Sequence, residues 1–502
     1  MKPRTVLLSL ALSALAACSG KVILLSGAPL TRGGVAGATT DAGNVSTAGS
    51  SSSLGSSGST SLNVDAGTTT LVQCAAGQST TVTGKVFDPR GRVPLYNAVV
   101  FVPDGTPPPF QPGVACETCK TPVQAKSVAL TDATGSFTIQ VPDANSVQLV
   151  AQLGKWRSFP TSFGITACGP NSIADPLLHL PANQAQGSIP KIALSTGHSD
   201  ALECLLRKIG ISDSEFTTDA GTGRVNMFVG CIGDSDNSSV PPRFGANKFA
   251  PALGGLSFPS TNELFDSGEL SNYDMVIFSC EGHKCDTIQT PTNVDKLTTF
   301  ANQGGRVYLD HDHYNWLNHA SDKIESAAQF SSSPNDIPSP LTATINAIPA
   351  FPKGQAFAQW LVNVNASTTQ GSLQIFSGKT SVESIDPNRA QSWIYSTDPA
   401  TKDTFYFTIG TPVAVLDNTP APDACGRVVF TDLHVSKSGG GCDASADCGE
   451  SDDISDQDIP FPTGCTTTDL LPQEKALEFM IFDLSSCVQQ ESATPVPPTV
   501  IK

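Results

Sequence analysis

The stretch Tyr273-Asp274-Met275-Val276-Ile277-Phe278-Ser279-Cys280, followed downstream by Val294 to Gln303, Gly304-Gly305 and Arg306-Val307-Tyr308-Leu309-Asp310, decides the fold class. Its first apolar run shows no polar alternation, so it reads as a strand buried on both faces. Val294 to Gln303 reads as a helix, the glycine pair stops it, and a second unbroken apolar run follows at once. Strand, helix, strand is the repeating unit of a parallel sheet covered by helices. The same grammar recurs on either side. Lys191-Ile192-Ala193-Leu194-Ser195-Thr196-Gly197 leads into a helical Asp200 to Gly210, and Gly426-Arg427-Val428-Val429-Phe430-Thr431-Asp432 is a further strand. A last helix places Leu477, Met480, Ile481 and Leu484 on one face. Residues 189–488 are therefore predicted as an α/β three-layer domain with a mainly parallel sheet and inserted loops, and its ligands are expected at the carboxyl ends of the strands.

Upstream the period changes to two. Thr81 to Asp88, Ala98 to Pro103, Ser127 to Leu130, Ser136 to Val141 and Ser146 to Gln152 are short strands separated by turn residues such as Pro89-Arg90-Gly91 and Thr131-Asp132-Ala133-Thr134-Gly135. That spacing predicts a small β-sandwich over residues 71–188. Val82-Thr83-Gly84-Lys85-Val86, the valine-rich second strand and Thr131 to Phe137 resemble carboxypeptidase regulatory-like domains. The resemblance implies a seven-stranded, transthyretin-like sandwich without catalytic residues, used as a spacer or interaction module. The chain departs from it by inserting Pro107 to Pro122, including Cys116-Glu117-Thr118-Cys119. A Cys-x-x-Cys serves in redox or zinc sites, but no thioredoxin-like context surrounds this one. With Cys74 and Cys168 near, Cys116 and Cys119 read as structural disulfide cysteines.

The first seventy residues carry an address and a tether. Lys2 and Arg4 precede an apolar Val6 to Ala17 too short to span a bilayer, and Leu15-Ala16-Ala17-Cys18 closes it with small residues before a cysteine. This resembles the lipobox of bacterial lipoproteins, which implies a signal peptide over 1–17 and an acylated Cys18 as lipid anchor. Ser19 after the cysteine favours the outer membrane or cell surface by resemblance to Gram-negative sorting rules. Residues 18–70 are rich in Ser, Gly and Thr, as in Gly55-Ser56-Ser57-Gly58-Ser59-Thr60, and contain no aromatic residue. Such a segment reads as a disordered tether with a reach of about 40 Å. The Pro-rich residues 489–502 read as a disordered tail.

The formal net charge is −17, so nucleic acid is not expected as a partner; a glycan or protein ligand is. Fourteen cysteines point to an oxidising compartment. Setting Cys18 aside leaves an odd number, so at least one thiol stays outside intrachain bridges. Cys442 and Cys448 are expected to staple the loop from Gly439 to Glu450, with Cys425 or Cys465 as further partners.

The order of elements in the third section resembles the class I glutamine-amidotransferase-like fold, a flavodoxin-like arrangement, and the trehalose-utilisation-type proteins within it. The matching residues are Asp274 to Cys280, the helix ending in Gly304-Gly305 before Arg306 to Leu309, and Gly426 to Thr431 with Asp432 and His434 beyond. Cys280-Glu281-Gly282, His311-Asp312-His313-Tyr314-Asn315-Trp316-Leu317 and Phe479 to Cys487 are similar to a set of uncharacterised secreted myxobacterial proteins. The amidotransferase resemblance implies a nucleophilic cysteine on a tight strand-to-helix turn. Here that turn reads Leu309-Asp310-His311-Asp312-His313, without cysteine. Cys280 is the substitute, and a short bridge to Cys285 would silence it.

What remains is a polar cluster at predicted strand ends: Asp310, His311 and His313; Glu281 and His283; Asp432 and His434. Imidazole and carboxylate ligands from separate loops suit zinc or another divalent metal with a bound water as nucleophile. Asp310, His311 and His434 are the catalytic candidates, and His311, His313, Asp432 and His434 the metal candidates. Against this, His311 and His313 are expected on opposite sides, and Asp310 or Asp312 can cap a helix. Two acidic loops, Asp234 to Ser238 and Asp452 to Asp458, lack EF-hand spacing and read as solvated surface. The chain is expected to be an envelope-anchored lipoprotein with a binding or structural role, the alternative being a metal-dependent hydrolase of envelope glycans or peptides.

Overall fold

The computed structural model describes residues 72–231, 245–331, 333–413, 424–435, 459–465 and 468–502. Cys18, the predicted signal peptide and tether, both acidic loops and the Cys442/Cys448 staple lie outside these residues. The described part is β-rich, with several sheets and six α-helices.

The largest sheet has ten strands. In spatial order the first six are Phe216–Thr217, Val225–Val229, Ile192–Thr196, Met275–Phe278, Arg306–Asp310 and Gly426–Thr431, all mutually parallel. Four more strands, Asp403–Thr411, Ala390–Ser396, Leu341–Ile345 and Ser372–Ile375, continue it antiparallel. The expected mainly parallel sheet is thus extended by an antiparallel half that alternating strand and helix patterns could not announce.

The unbroken apolar runs are explained by two cores. Met275, Ile277, Tyr308 and Val429 enter one cluster together with Leu202, Leu205 and Leu206 of α1 (Leu202–Lys208), Phe357 and Leu361 of α5 (Pro352–Asn363) and Leu477, Met480 and Ile481 of α6 (Pro472–Ser485). Their neighbours Val276, Phe278, Val307, Leu309, Val428 and Phe430 enter the other, with Leu264 and Phe265 of α2 (Thr261–Asp266), Val294, Leu297 and Phe300 of α3 (Pro291–Asn302) and Trp316 of α4 (Tyr314–Asn318). Side chains alternate across a strand, so a strand whose every residue is apolar needs cover on both faces. Helix α3 starts with the Thr290 hydroxyl accepting from the Asn293 amide and Pro291 in its first turn, and it stops before Gly304. Gly304 has φ +110°, and a Cβ there would fall 2.2 Å from the Ala115 carbonyl, so only glycine fits.

Ala328–Phe330 pairs with Val382–Ile385 in a small sheet of two, and ten more strands form two further sheets. One places Thr80–Lys85 between Ser136–Val141 and Pro170–Ser172; the other contains Val123–Leu130, Val99–Pro103, Ser146–Leu153, Trp156–Ser158, Thr161–Gly164 and Gly187–Ser188. Val500–Ile501 pairs parallel with Val123 and Gln124, so residues 489–502, expected as a disordered tail, supply an edge strand. Glu491 is also held, its carboxylate 3.0 Å from Arg427 and 3.4 Å from Lys353.

These sheets share a core with α6. Trp156 meets Phe482 edge-on, Tyr96 stacks on Phe479, and the Trp360 indole donates to the Pro94 carbonyl at 2.7 Å. Helix α6 is therefore buried nearly all round, Glu478 and Asp483 included. The insertion after Pro107 is the clamp. Cys116 is bonded to Cys425 and Cys119 to Cys487, and Lys155 reaches the Gln111 and Gly113 carbonyls and Asp274. Three more bridges join Cys74 to Cys168, Cys204 to Cys465 and Cys231 to Cys285. Cys425 and Cys465, expected to help staple the 439–450 loop, are thus committed elsewhere. Cys280 does not pair with Cys285 and is the one free cysteine among the described residues.

Candidate functional site

In the parallel half, the chain leaves Ile192–Thr196 through α1 on one face to reach Val225–Val229. It then crosses through α2 on the other face to reach Met275–Phe278, on the far side of its starting strand. Loops at the carboxyl ends of Ile192–Thr196 and Met275–Phe278 therefore diverge, and such a switch point is where open parallel sheets leave room for ligands. Three loops meet there: Gly197 to Asp200, Ser279 to Gly282, and Asp310 to His313. The first two are tied together, since the Ser199 and Asp200 amides both donate to the Cys280 carbonyl. A Cβ on Gly197 would lie 2.1 Å from that carbonyl, so the close approach requires glycine.

At the centre, Cys280 Sγ lies 3.1 Å from His311 Nε2 and 3.4 Å from Asp312 Oδ2, and the Gly282 amide donates to the sulfur at 3.1 Å. His311 Nδ1 faces Asp310 Oδ1 at 3.3 Å. Asp310 also accepts from the His311 amide and so caps the short turn His311–His313. His434 stands edge-on to His311, with ring centroids 4.3 Å apart, and its Nδ1 bonds Asp200 Oδ2 at 2.8 Å. The second Asp200 oxygen accepts from the Val435 amide at 2.7 Å. Asp200, Cys280, Asp310 and His311 are at most 1% exposed.

Burial pushes the Cys280 thiol well above its ordinary range, with His311 opposing the shift. For His311 burial acts downward, yet the Cys280 sulfur and Asp312 outweigh it and hold the imidazole well above the usual value. Burial alone would raise Asp312, but His311 keeps its carboxyl below the usual carboxylate range. Asp310 is pushed up to about 7 by burial and by the neighbouring Asp200. His434 is lowered to about 3, by burial first and by His311 second, so it is neutral at physiological pH. A cysteine and a histidine in this contact can share a proton as thiolate and imidazolium, or can ligate a cation together.

Not every predicted residue joins. His313 turns to the opposite face, where Nε2 meets the Ser279 carbonyl at 2.9 Å and Glu281 at 3.0 Å. Its Nδ1 accepts from the Trp316 indole and the Gln289 amide, both at 3.3 Å. A ring so fully satisfied is part of the core; His311 and His313 lie in a 3₁₀ turn, where positions two apart are rotated by about 120° around the axis, and that rotation separates the two rings. Asp432 also departs: its Oδ2 accepts from the Ser381 amide, and it faces Asp403. Burial raises both; the Asp432 charge adds to the rise of Asp403, to about 10, whereas His311, the Ser381 bonds and a hydrogen bond from Asp403 oppose the rise of Asp432, which reaches about 7. His283 bonds only the Glu281 carbonyl. The expected set of His311, His313, Asp432 and His434 is therefore not one constellation. Asp200 was missed altogether. Its signal was its position, just past the first strand of a parallel sheet at the switch point.

Beside the cluster, across the Gly197–Ser199 turn, a small crevice of about 20 Å³ lies between Gly197, His198, Ser199, Ala246, Phe461 and Cys465.

No protein family and no curated protein matches the chain. Among solved structures, it is similar to chains of two type II cohesin–X-dockerin complexes from Acetivibrio cellulolyticus, a C-terminal and an N-terminal interface mutant. Each is 16% identical over 28% of this chain, covering 75% and 78% of those chains, with a TM-score of 0.14. A likeness at that score carries no argument about fold or partner.

Proposed function

We propose that the chain is an exported lipoprotein, anchored through Cys18, whose folded body binds an envelope glycan or peptide on the surface around the crevice, or cleft, beside the switch point. The observation that carries this reading is the position of that cleft, next to the diverging loops where a parallel sheet leaves room for a ligand. In this reading the ten-stranded sheet with helices on both faces is an amidotransferase-like α/β layer without the family's nucleophile turn. The sheets around Val82 and Val100 are a transthyretin-like spacer locked to it by Cys116–Cys425 and Cys119–Cys487. Five disulfides fit an oxidising compartment, and no described helix is long and apolar enough to cross a membrane.

The test is co-sedimentation of the full chain with isolated cell-wall sacculi, together with labelled-palmitate incorporation in an exporting host. Wild type is expected to sediment and to carry label. Ala246→Trp, which fills the cleft from a half-buried position, should lose sedimentation, and Cys18→Ser should lose the label. Sedimentation unchanged in Ala246→Trp would overturn the cleft assignment.

A further inference from the structure

Cys280 Sγ, His311 Nε2 and Asp312 Oδ2 form a triangle with edges of 3.1, 3.4 and 3.4 Å. A hydrogen-bond count shows what is unusual about it. Asp310 sits beside His311 Nδ1, so in the neutral ring Nδ1 carries the hydrogen and Nε2 presents a lone pair to the triangle. The carboxylate of Asp312 brings only acceptors. Cys280 brings at most one proton, and its sulfur already accepts the Gly282 amide. Three electron-pair donors thus converge on a buried point with a single proton to share among them.

A fourth donor is near Cys280 and His311. One ligand atom each from Asp200, Cys280 and His311 fall within 4.8 Å of one another. In tetrahedral zinc, bonds of about 2.0 Å to N or O and about 2.3 Å to S place neighbouring donors roughly 3.3–3.6 Å apart. The triangle needs to open by only a few tenths of an ångström to meet that spacing.

The surroundings are those of a metal site as well. Ligating histidines characteristically donate their second ring nitrogen to a carboxylate, as His311 does to Asp310, and ligating carboxylates are themselves held, as Asp200 is by His434 and the Val435 amide. An amide N–H on the sulfur, here from Gly282, stabilises a thiolate.

We propose that Cys280, His311, Asp312 and Asp200 form a binding site for one divalent cation of the zinc type. A thiolate, an imidazole and carboxylates together select zinc or cobalt over magnesium or calcium, which take oxygen ligands. Binding replaces the proton of the Cys–His pair: the thiol form gives metal-bound thiolate and one released proton, and the imidazolium–thiolate form releases the same single proton from His311. The site stands apart from the cleft assignment, and either can fail alone. It also differs from the constellation of His311, His313, Asp432 and His434, because two of those four point elsewhere.

The experiment uses the full chain, treated with chelator, dialysed and titrated with Co²⁺ alone. One equivalent of Co²⁺ is expected to bind with a near-ultraviolet thiolate-to-cobalt band, visible d–d bands and release of one proton per metal. Cys280→Ser should lose the thiolate band. Asp312→Asn, a near-isosteric change at a partly exposed side chain, should weaken binding at least tenfold while the fold remains intact by circular dichroism. Absence of stoichiometric uptake by wild type would overturn the site, as would a thiolate band that persists in Cys280→Ser. Should Cys280→Ser fail to fold, X-ray absorption of the cobalt-loaded wild type decides: one sulfur neighbour supports the assignment and none refutes it.

Discussion

The Cys116–Cys425 bridge offers a quantitative test of how the two parts of the body are coupled. Taken alone, its span of 309 residues would stabilise the fold by about 5–6 kcal/mol through loop-closure entropy in the unfolded chain. It is not alone, because Cys119–Cys487 already brings the same regions together. With that bridge intact, the unfolded chain runs from Cys116 to Cys425 through a path of about 65 residues, so the loss on replacing Cys116 and Cys425 by alanine falls to about 4 kcal/mol. Removing the second bridge too leaves Cys204–Cys465 as the shortest connection, a path of about 105 residues, and costs about 5 kcal/mol more. The two losses together are comparable with the whole stability of a typical domain, roughly 5–15 kcal/mol. Urea unfolding followed by circular dichroism measures both. The single-bridge variant should lose about 4 kcal/mol with a slightly larger denaturant slope, since its unfolded state is less compact, and the four-alanine variant should be largely unfolded. A single-bridge loss below about 1 kcal/mol would refute the entropic reasoning.

Two further outcomes follow from the burial of α6. Asp483 bonds Lys353 at 2.7 Å and Arg427 at 2.8 Å, both cations at most 1% exposed, so Asp483→Asn leaves buried charge under-compensated and should cost about 3–5 kcal/mol in the same assay. Those cations hold the Asp483 carboxyl below its ordinary value despite burial, so its stabilisation is complete above the unfolded pKa and is lost as acid protonates it; the wild type's acid limb should flatten in the variant. Glu478 has the opposite sign. Burial, then the nearby Asp88, pushes it well above its usual value, while Asp88 rises to about 6. Between the unfolded and native values the native state holds the extra proton, so stability falls as pH climbs through that interval. Glu478→Gln should therefore stabilise the protein at pH 8 by about 1–3 kcal/mol, with a shallower pH slope; thermal melts at pH 5 and pH 8 would contradict this if the variant melted below wild type at both.

The sequence carried the parallel half of the large sheet because each of its strands is a self-contained signal. Arg306 to Asp310 is a strand with those same bounds, and the last helix occupies Pro472–Ser485 around the predicted apolar face. The antiparallel half was not legible: Leu341–Ile345 alternates, but Ala390–Ser396 does not, and helix α5 and the strands Ser372–Ile375 and Val382–Ile385 lie between them, so their pairing cannot be inferred from local pattern. Site residues divided along the same line. Asp310, His311 and His434 were visible as polar residues at strand ends, whereas the split of His311 from His313 comes from the 3₁₀ turn that carries them. Asp200 and the role of Cys280 required knowing which strands are neighbours, because residues 200, 280, 311 and 434 meet only through the order of the sheet. Disulfide partners were hidden for the same reason, with Cys119 and Cys487 lying 368 residues apart.

The strand Val500–Ile501 sets a timetable. Synthesis at roughly 5–20 residues per second separates Val123 from its partner Val500, about 380 residues later, by about 20–75 s. During that interval the Val123–Leu130 edge is open to any other extended chain, and Lys126, exposed in the middle of it, is the kind of charge that discourages such pairing. Completion of this sheet thus waits on residues 500 and 501, long after Val123 has left the ribosome.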